Sequence, residues 1–197
     1  MKTAILASLI ASAAAFAPAQ QGAHSSTPSS SLQAKDYASE VGVQAPLGLW
    51  DPLNILDSAS EEKYDRLRAT EIKHGRVAML GVVGYLVTYA GVRWPGLEEV
   101  PAGWAAWKAL PDEVVGQMVA SWIFMEIANR DQTGDAEFDG DFRNGYLDFG
   151  WDSQSAEWKA KKRAIELNQG RAAQMGLLGL MVHDAMGNVG AILPLAK

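Results

Sequence analysis

The chain has 197 residues, of which 48% are hydrophobic, and its formal net charge at pH 7 is −6. This negative charge, together with the lack of an extended basic stripe, argues against nucleic acid as a partner. The chain contains no cysteine, which excludes disulfide bonds, thiolate metal sites and cysteine nucleophiles. Its 19 glycines and a mean hydropathy close to zero suit a small membrane protein as well as one compact soluble domain.

Residues 1–34 have the composition of a targeting segment. One lysine precedes the apolar stretch Ala4–Ile10 and a run of small residues, which is the form of a secretory signal peptide. The next residues are rich in Ser, Ala and Gln and contain no acid before Asp36, as in a transit peptide. A secreted protein with a Ser-rich spacer would fit this segment equally well. We expect a bipartite signal and transit peptide over 1–34 and the functional domain over 35–197.

Three apolar segments in the functional domain predict helices, over about 71–92, 114–128 and 166–186. Each segment is short for a bilayer, which needs ~20 mostly apolar residues. Hydropathy alone therefore leaves both a soluble bundle and a membrane bundle open. Two tryptophans, Trp104 and Trp107, would suit an interfacial belt in the second case and core positions in the first.

Basic residues are unevenly distributed between the two ends of these helices. The end with fewer of them has Arg93, Lys108 and Lys197. The other end, formed by the N-terminal segment and the 131–165 connection, has Lys35, Lys63, Arg66, Arg68, Arg143, Lys159, Lys161, Lys162 and Arg163. For three membrane spans this is the asymmetry that the positive-inside rule predicts. An ordinary solvated helix face would also explain the basic run.

An internal repeat relates the first and third helices. The stretch "RATEIKHGRVAMLGVVG", residues 68–84, aligns with "RAIELNQGRAAQMGLLG", residues 163–179, at a shift of 95 positions. The Arg, Ala, Glu, Gly, Arg, Ala, Gly and Gly of one copy recur in the other. Because one full unit separates the copies, the two helices can run parallel and cross about a pseudo-two-fold axis.

The charged residues of the repeat predict two ion pairs at this crossing. Glu71 and Arg76 are roughly 140° apart around their own helix and cannot pair well with each other. A symmetric exchange solves this, with Glu71 paired to Arg171 and Glu166 paired to Arg76, as two buried ion pairs. Such pairs are costly to desolvate, so a further role for them is expected. Close approach of the backbones there is predicted at Gly81, Gly84, Gly176 and Gly179.

Residues beside the pairs offer single metal-ligand donors. A carboxylate neutralised by an arginine keeps a spare lone pair and makes a net-neutral ligand for a hard cation. Glu71 and His74 are three residues apart, as are Glu166 and Gln169, whereas His183 lies roughly 21 Å further along its helix. Donors separated in this way cannot form a tetrahedral zinc site or a carboxylate cage. Each can supply one axial ligand to a metal whose other positions are filled by a macrocycle.

The stretches "EIKHGRVAML" and "ELNQGRAAQMG", with "GVQAPLGLWDPLN" and "GDFRNGYLDFGWD", resemble the light-harvesting chlorophyll-binding family. More narrowly, they resemble the fucoxanthin chlorophyll a/c proteins of diatom-type algae, from about Gly42 onward. The resemblance implies the light-harvesting complex fold: an all-α membrane protein with three transmembrane helices in the thylakoid and a stromal N-terminus. It further implies chlorophyll a, chlorophyll c, fucoxanthin and diadinoxanthin or a related xanthophyll as cofactors. The implied partners are a photosystem I or II core, other antenna subunits and thylakoid lipids, in an oligomer or supercomplex.

The resemblance also assigns roles to individual residues. Arg76 and Arg171 would be the partners of the paired glutamates, and Arg130 a countercharge for Glu126. Gln169 stands where the family more often has asparagine, so Asn168 beside it is a substitute ligand. The implied chlorophyll ligands are Glu71, His74, Gln117, Glu126, Glu166, Gln169 and His183. Each has a purely structural alternative: a crossover clamp for the glutamates, a hydrogen bond for the amides, a surface pair for Glu126 and a core position for His183.

Two other functions were weighed against an antenna. The spacing Glu71-x-x-His74 occurs in di-iron carboxylate enzymes, but their fold needs a second such motif and four helices, whereas the second copy has Gln169. A photoprotective antenna of the same fold would dissipate excitation as heat. The sequence has no catalytic triad arrangement, no GxGxxG and no P-loop. It therefore predicts an antenna protein and not an enzyme.

Overall fold

The computed structural model describes residues 37–57, 59–134, 136–146 and 148–193. The predicted targeting segment lies outside these ranges. Within them the regular structure is helical, and the one β-bridge, Gln44 to Gly48, is isolated. Two 3₁₀ turns occupy Tyr37–Ser39 and Gly103–Ala105, and the α-helices are α1 Glu61–Tyr89, α2 Ala106–Ala109, α3 Asp112–Ala128, α4 Ala156–Ala185 and α5 Val189–Ile192.

Helices α1 and α4 each begin ten residues before the start that hydrophobic periodicity predicts. Ser60 and Ser155 cap them, because each hydroxyl oxygen accepts a hydrogen bond from the backbone N–H three residues later. Acidic residues in the first turns add a favourable interaction with the helix dipole. These turns are polar, so they carry capping signals but no apolar face. The second predicted helix, α3, begins two residues early and ends where predicted.

Helices α1 and α4 cross at the glycine that precedes the arginine in each copy of the repeat. A Cβ on Gly75 would lie 2.9 Å from the Cα of Gly170, and one on Gly170 would lie 3.0 Å from the Cα of Gly75. A side chain at either position would therefore collide with backbone. Ile72, Ala78 and Leu167 are buried around this contact. Equivalent residues meet each other, which is the pattern that a pseudo-two-fold axis produces.

The glycines predicted at the crossing are not the ones that form it. Around Gly84, Gly176 and Gly179 there is nothing within 4 Å of a built Cβ, and Gly81 meets only the side chain of Leu177. The ion pairs explain the difference. Each glutamate binds an arginine on the other helix, and that arginine lies five positions later in the motif than the glutamate does. The closest approach of the two helices therefore falls between the two ion pairs.

Helix α3 packs far less closely on the rest of the described chain. None of its residues is buried. Its aromatic contact to the preceding segment is a stack of Trp107 on Trp122, with ring centres 6.4 Å apart. Its direct polar link to α1 is an ion pair between Lys73 and Glu126.

Among the described helices, none has a stretch both long enough and apolar enough to cross a membrane.

Candidate functional site at the helix crossing

Two reciprocal ion pairs join α1 and α4. Arg76 Nε donates to Glu166 Oε1 at 2.7 Å, and Arg171 Nε donates to Glu71 Oε1 at 2.7 Å. This is the exchange that the repeat predicts. The side chains of Arg76 and Glu166 are each 34% exposed, so the pairs are half-buried and not buried as expected. The polypeptide covers the inner side of each pair and leaves the outer side accessible.

Each arginine also binds a loop carbonyl that belongs to the other copy of the repeat. Arg76 Nη1 donates to the carbonyl oxygen of Gly140 at 2.7 Å, in the loop before α4. Arg171 Nη1 donates to the carbonyl oxygen of Gly42 at 2.8 Å, in the segment before α1. Each guanidinium is thus held by both the helix and the leading loop of the opposite copy. The orientation of the ion pairs therefore depends on the loops as well as on the helices.

The sequence did not identify Gly140 and Gly42, the two loop glycines, as functional residues. A Cβ on Gly140 would lie 2.9 Å from Ile72 Cγ2, and this glycine has a positive φ of 84°. A Cβ on Gly42 would lie 2.4 Å from Arg68 Nη1. Gly140 is therefore favoured by both its positive φ and its close contact, whereas a Cβ at Gly42 would have to displace the end of the Arg68 side chain. A signal was present, since both quoted loop motifs begin with these glycines.

In each of the two histidines, a hydrogen bond at Nδ1 leaves the other ring nitrogen, Nε2, for a ligand. His74 Nδ1 lies 2.9 Å from the backbone oxygen of Thr70, and His183 Nδ1 lies 2.9 Å from Asn188 Oδ1. Because these oxygens accept hydrogen bonds, Nδ1 carries the proton in each ring. Nε2 then keeps its lone pair, which is the tautomer that a metal ligand needs. His183 is partly exposed.

The amide residues are placed less distinctively. Gln169 and Gln117 are both exposed. Asn168 donates through Nδ2 to the side-chain oxygen of Gln44. Gln44 in turn donates to the backbone oxygen of Ala164 at 3.3 Å. Asn168 therefore fastens the N-terminal segment to α4, whereas Gln169 is directed to the exterior of the polypeptide.

The countercharge of Glu126 is Lys73 and not Arg130. Both side chains of this pair are about half exposed, 57% for Lys73 and 51% for Glu126. The predicted pairing with Arg130 relied on the spacing of one helical turn. Helix α3 ends at Ala128, with Asn129 as its cap at φ −84° and ψ 60°, so Arg130 leaves the helical register. Lys73 instead reaches across from α1, between Glu71 and His74 in sequence.

A charged network organises the connection between α3 and α4. Arg143 donates to Asp141 from Nε at 2.8 Å and from Nη2 at 2.6 Å, and from Nη1 to Asp148 and Asp152, each at 3.1 Å. These hydrogen bonds lower the pKa of the buried Asp141 carboxyl to about 2. The residue before Asp141 is Gly140, whose carbonyl oxygen accepts the hydrogen bond from Arg76. The network therefore positions one of the two arginine-binding loops.

The arrangement suits isolated axial ligands. Within the part of the chain that the structure describes, no three His, Asp or Glu side chains form a group that could hold a metal ion. An apolar cavity of about 890 Å³ lies between α1, α4 and the segment that leads into α3. Its size and apolar lining suit a large hydrophobic ligand. Residues on its wall include Gly81, Tyr85, Trp104, Leu110, Met118 and Leu177.

Comparison with known proteins agrees with this geometry. Residues 37–185 match the family model described as chlorophyll A-B binding protein. The chain is 53% identical over 196 residues to fucoxanthin-chlorophyll a-c binding protein A, chloroplastic, of Phaeodactylum tricornutum, covering 95% of this chain and 97% of the relative. It is 48% identical to the fucoxanthin-chlorophyll a-c binding protein of Trieres chinensis, with 95% and 96% covered. A Macrocystis pyrifera relative, protein F, is 45% identical, with 85% and 84% covered. The resemblance of the motifs is thereby confirmed, and the chain belongs to the chlorophyll A-B binding protein family.

Proposed function

We propose that the chain is a light-harvesting antenna protein that binds chlorophyll a, chlorophyll c and fucoxanthin and passes excitation energy to a photosystem. The relatives that match it over nearly their whole length are named for fucoxanthin and chlorophyll a-c. The observation that carries the proposal is the pair of reciprocal Arg–Glu bonds at the crossing of two repeated helices. Membership of this family decides against the di-iron enzyme and against any catalytic role.

The paired glutamates fit the magnesium of chlorophyll. Magnesium prefers hard oxygen and nitrogen donors, which carboxylates and imidazoles provide. Glu71 and Glu166 are paired with Arg171 and Arg76, and the two carboxylate side chains are 30% and 34% exposed. A ligand that carries no net charge is the form that an apolar surrounding tolerates. The bound chlorophyll supplies the light absorption and the transfer of excitation.

The other assigned ligands serve single pigments in the same way. His74 and His183 would bind magnesium through Nε2, which their Nδ1 hydrogen bonds leave available. Glu126 would bind as a carboxylate neutralised by Lys73. The exposed amide oxygens of Gln117 and Gln169 complete the set. The protein then acts by position alone, because fixed ligands set the separations and orientations of the pigments.

We further propose that α1, α3 and α4 span the thylakoid membrane with the N-terminus on the stromal side. Support comes from large apolar side chains that face outward on all three helices, for example Leu80, Phe124 and Met175, which are 72%, 72% and 71% exposed. Pairing of the charged side chains at the crossing lowers the cost of placing them in hydrocarbon. Trp104 and Trp107 lie at the less basic end and are each 55% exposed, as residues of an interfacial belt would be.

Other parts of the assignment rest on the relatives. Their names include the word chloroplastic, which agrees with residues 1–34 being a plastid-targeting segment. A plastid antenna of this kind would associate with a photosystem core and with further antenna subunits. The accessible apolar surfaces of the three long helices offer the area that such association and the surrounding lipids require.

An absorption spectrum of the purified protein, reconstituted with chlorophyll a, chlorophyll c and fucoxanthin, tests the function. We expect the bands of both chlorophylls and a broad green carotenoid shoulder, with excitation of fucoxanthin producing chlorophyll a fluorescence. The matched controls are the charge-balanced pair Glu166→Leu with Arg76→Leu, which should lose one chlorophyll, and Arg130→Gln, which should lose none. A protein that stays colourless after reconstitution would overturn the proposal.

A further inference from the structure

The two copies of the repeat differ in what their leading arginine does. Arg68 Nη1 donates to Glu71 Oε2 at 3.0 Å. Its equivalent, Arg163, instead lies over the ring of Phe138, with 4.4 Å from the guanidinium carbon to the ring centre. Glu71 therefore accepts charged hydrogen bonds on both of its oxygens. In the described part of the chain, Glu166 accepts one on Oε1 alone.

Arg68 is fixed in this position by a built pocket. Only 8% of its side chain is exposed. Its Nη2 donates to the hydroxyl of Tyr64 at 3.2 Å and lies 3.9 Å from Glu40 Oε2. The Tyr64 ring stacks on Tyr37, with ring centres 4.6 Å apart. The close approach of Gly42 closes the pocket from the other side. These contacts hold the guanidinium of Arg68 against Glu71.

We propose that Arg68 makes Glu71 the weaker of the two equivalent magnesium ligands, so that the chlorophyll at Glu71 exchanges faster than the chlorophyll at Glu166. This inference rests on the proposed function. A carboxylate has about four lone-pair sites, and hydrogen bonds from guanidinium groups are the strong, charge-assisted kind. Two such bonds withdraw more electron density from Glu71 than one does from Glu166. The Arg68 charge also repels a magnesium ion placed on the same carboxylate.

The consequence is a functional difference between two sites that the repeat makes nearly identical. Both glutamates have the same partner type, the same 2.7 Å ion pair and the same loop carbonyl beside the partner arginine. Arg68 is the charged group that departs from this symmetry. It acts through Glu71 and touches no pigment in our proposal, so it is a positioning residue that tunes the ligand.

The test compares chlorophyll release from the complete pigment–protein complex in mild detergent at fixed temperature. Charge-balanced double variants, Glu71→Leu with Arg171→Leu and Glu166→Leu with Arg76→Leu, each remove one ligand and identify its absorption band by difference. In the parent complex we expect the Glu71 band to decay about tenfold faster than the Glu166 band, a factor that a single charge-assisted hydrogen bond accounts for. Pigment-to-protein ratios provide the independent readout of loss.

Substitutions at the two leading arginines give the matched comparison. Arg68→Gln should slow the decay of the Glu71 band until the two rates are nearly equal. Arg163→Gln, at the equivalent position, should change neither rate. Tyr64→Phe removes the hydrogen bond from Arg68 to the tyrosine hydroxyl and leaves its bond to Glu71, so it should preserve the fast phase. If Arg68→Gln does not assemble, Arg68→Lys keeps the buried charge, and a rate between parent and equality is expected.

Two results would overturn the inference. One is a Glu71 band in the parent complex that decays no faster than the Glu166 band, a measurement that needs no change at Arg68. The other is an equal response to Arg68→Gln and Arg163→Gln. Failure of the proposed function looks different, because then no chlorophyll binds, or both double variants keep the full complement.

Discussion

The crossing of α1 with α4 and the placement of α3 are held in different ways. The crossing has two ion pairs, a glycine-to-glycine backbone contact and two guanidinium-to-carbonyl bonds. Helix α3 is linked to α1 by the exposed Lys73–Glu126 ion pair and to the segment before it by the stack of Trp107 on Trp122, and none of its residues is buried. The crossing is therefore specified by the polypeptide, whereas α3 depends on what fills the space beside it. In the proposed function, pigments provide that contact.

The largest difference in stability between the crossing and α3 is expected when pigment is omitted. Without chlorophyll and carotenoid, we expect no cooperative three-helix state, because unliganded polar groups and apolar faces would remain in contact with detergent. Amide hydrogen exchange should show α3 losing protection first and α1 and α4 retaining part of theirs. Recovery of a compact, cooperative three-helix state in pigment-free detergent would contradict this.

Breaking one ion pair should have the next largest effect. Arg171→Leu removes the partner of Glu71 and the bond to the Gly42 carbonyl together. We expect a loss of about 2 kcal/mol of stability, because Arg171 joins α4 to both Glu71 and the Gly42 carbonyl, and loss of the chlorophyll at Glu71, because the disrupted crossing no longer positions that carboxylate. Chlorophyll per protein and the thermal midpoint measure both effects. Arg130→Leu, an exposed arginine beyond α3, is the control, and full pigment stoichiometry in Arg171→Leu would refute the coupling.

Adding one methyl group tests the backbone contact. In Gly75→Ala the new Cβ would meet the Gly170 backbone, so the helices must separate at a cost of roughly 1–3 kcal/mol. Gly84→Ala is the matched control on the same helix. That position has open space, and alanine favours the helix there by up to about 1 kcal/mol. Opposite signs in thermal unfolding are expected, and equal destabilisation would show that the crossing lies elsewhere.

The charged network around Arg143 lies in the connection between α3 and α4, and its contribution to stability should depend on pH. The hydrogen bonds of Arg143 hold the pKa of Asp141 near 2, below its usual 3.8. The lowered pKa means that this stabilisation is present above about pH 4 and is lost as pH falls toward 2. Arg143→Gln should therefore cost about 2 kcal/mol at neutral pH and reduce the acid sensitivity between pH 4 and 2. The thermal midpoint measured across this pH range reports the unfolding. Unchanged acid sensitivity in the variant would exclude this role.

The smallest effect is expected at the polar link between the regions. Lys73→Gln removes the partner of Glu126, and because both side chains are about half exposed the loss should stay below about 1 kcal/mol. The change should appear as faster amide exchange in α3, with α1 and α4 unaffected. Lys63→Gln, on the same helix but at its capped start, should leave α3 unchanged. A response confined to α1 would show that the ion pair does not hold α3.

The sequence predicted the ion pairs of the site, because the identity of the repeated residues and the helical period are enough to define them. The repeat required that Glu71 and Arg171, and equally Glu166 and Arg76, exchange partners, because each glutamate faces away from the arginine on its own helix. It did not predict the crossing glycines, since three glycine positions recur in both copies and spacing alone favours none of them. Nor did it predict Lys73 as the partner of Glu126, because helical spacing was applied past the point where α3 ends.

From the amino-acid sequence by itself came the family, the three long helices, the reciprocal ion pairs and the choice of donor residues. These follow from local patterns and from a symmetry that the repeat displays directly. The tertiary structure alone decided which carbonyls bind the arginines, where the backbones touch, and that Arg68 engages Glu71 while Arg163 covers Phe138. The reason is physical: these contacts depend on the paths of loops around the crossing, and two arginines at equivalent positions meet different neighbours there.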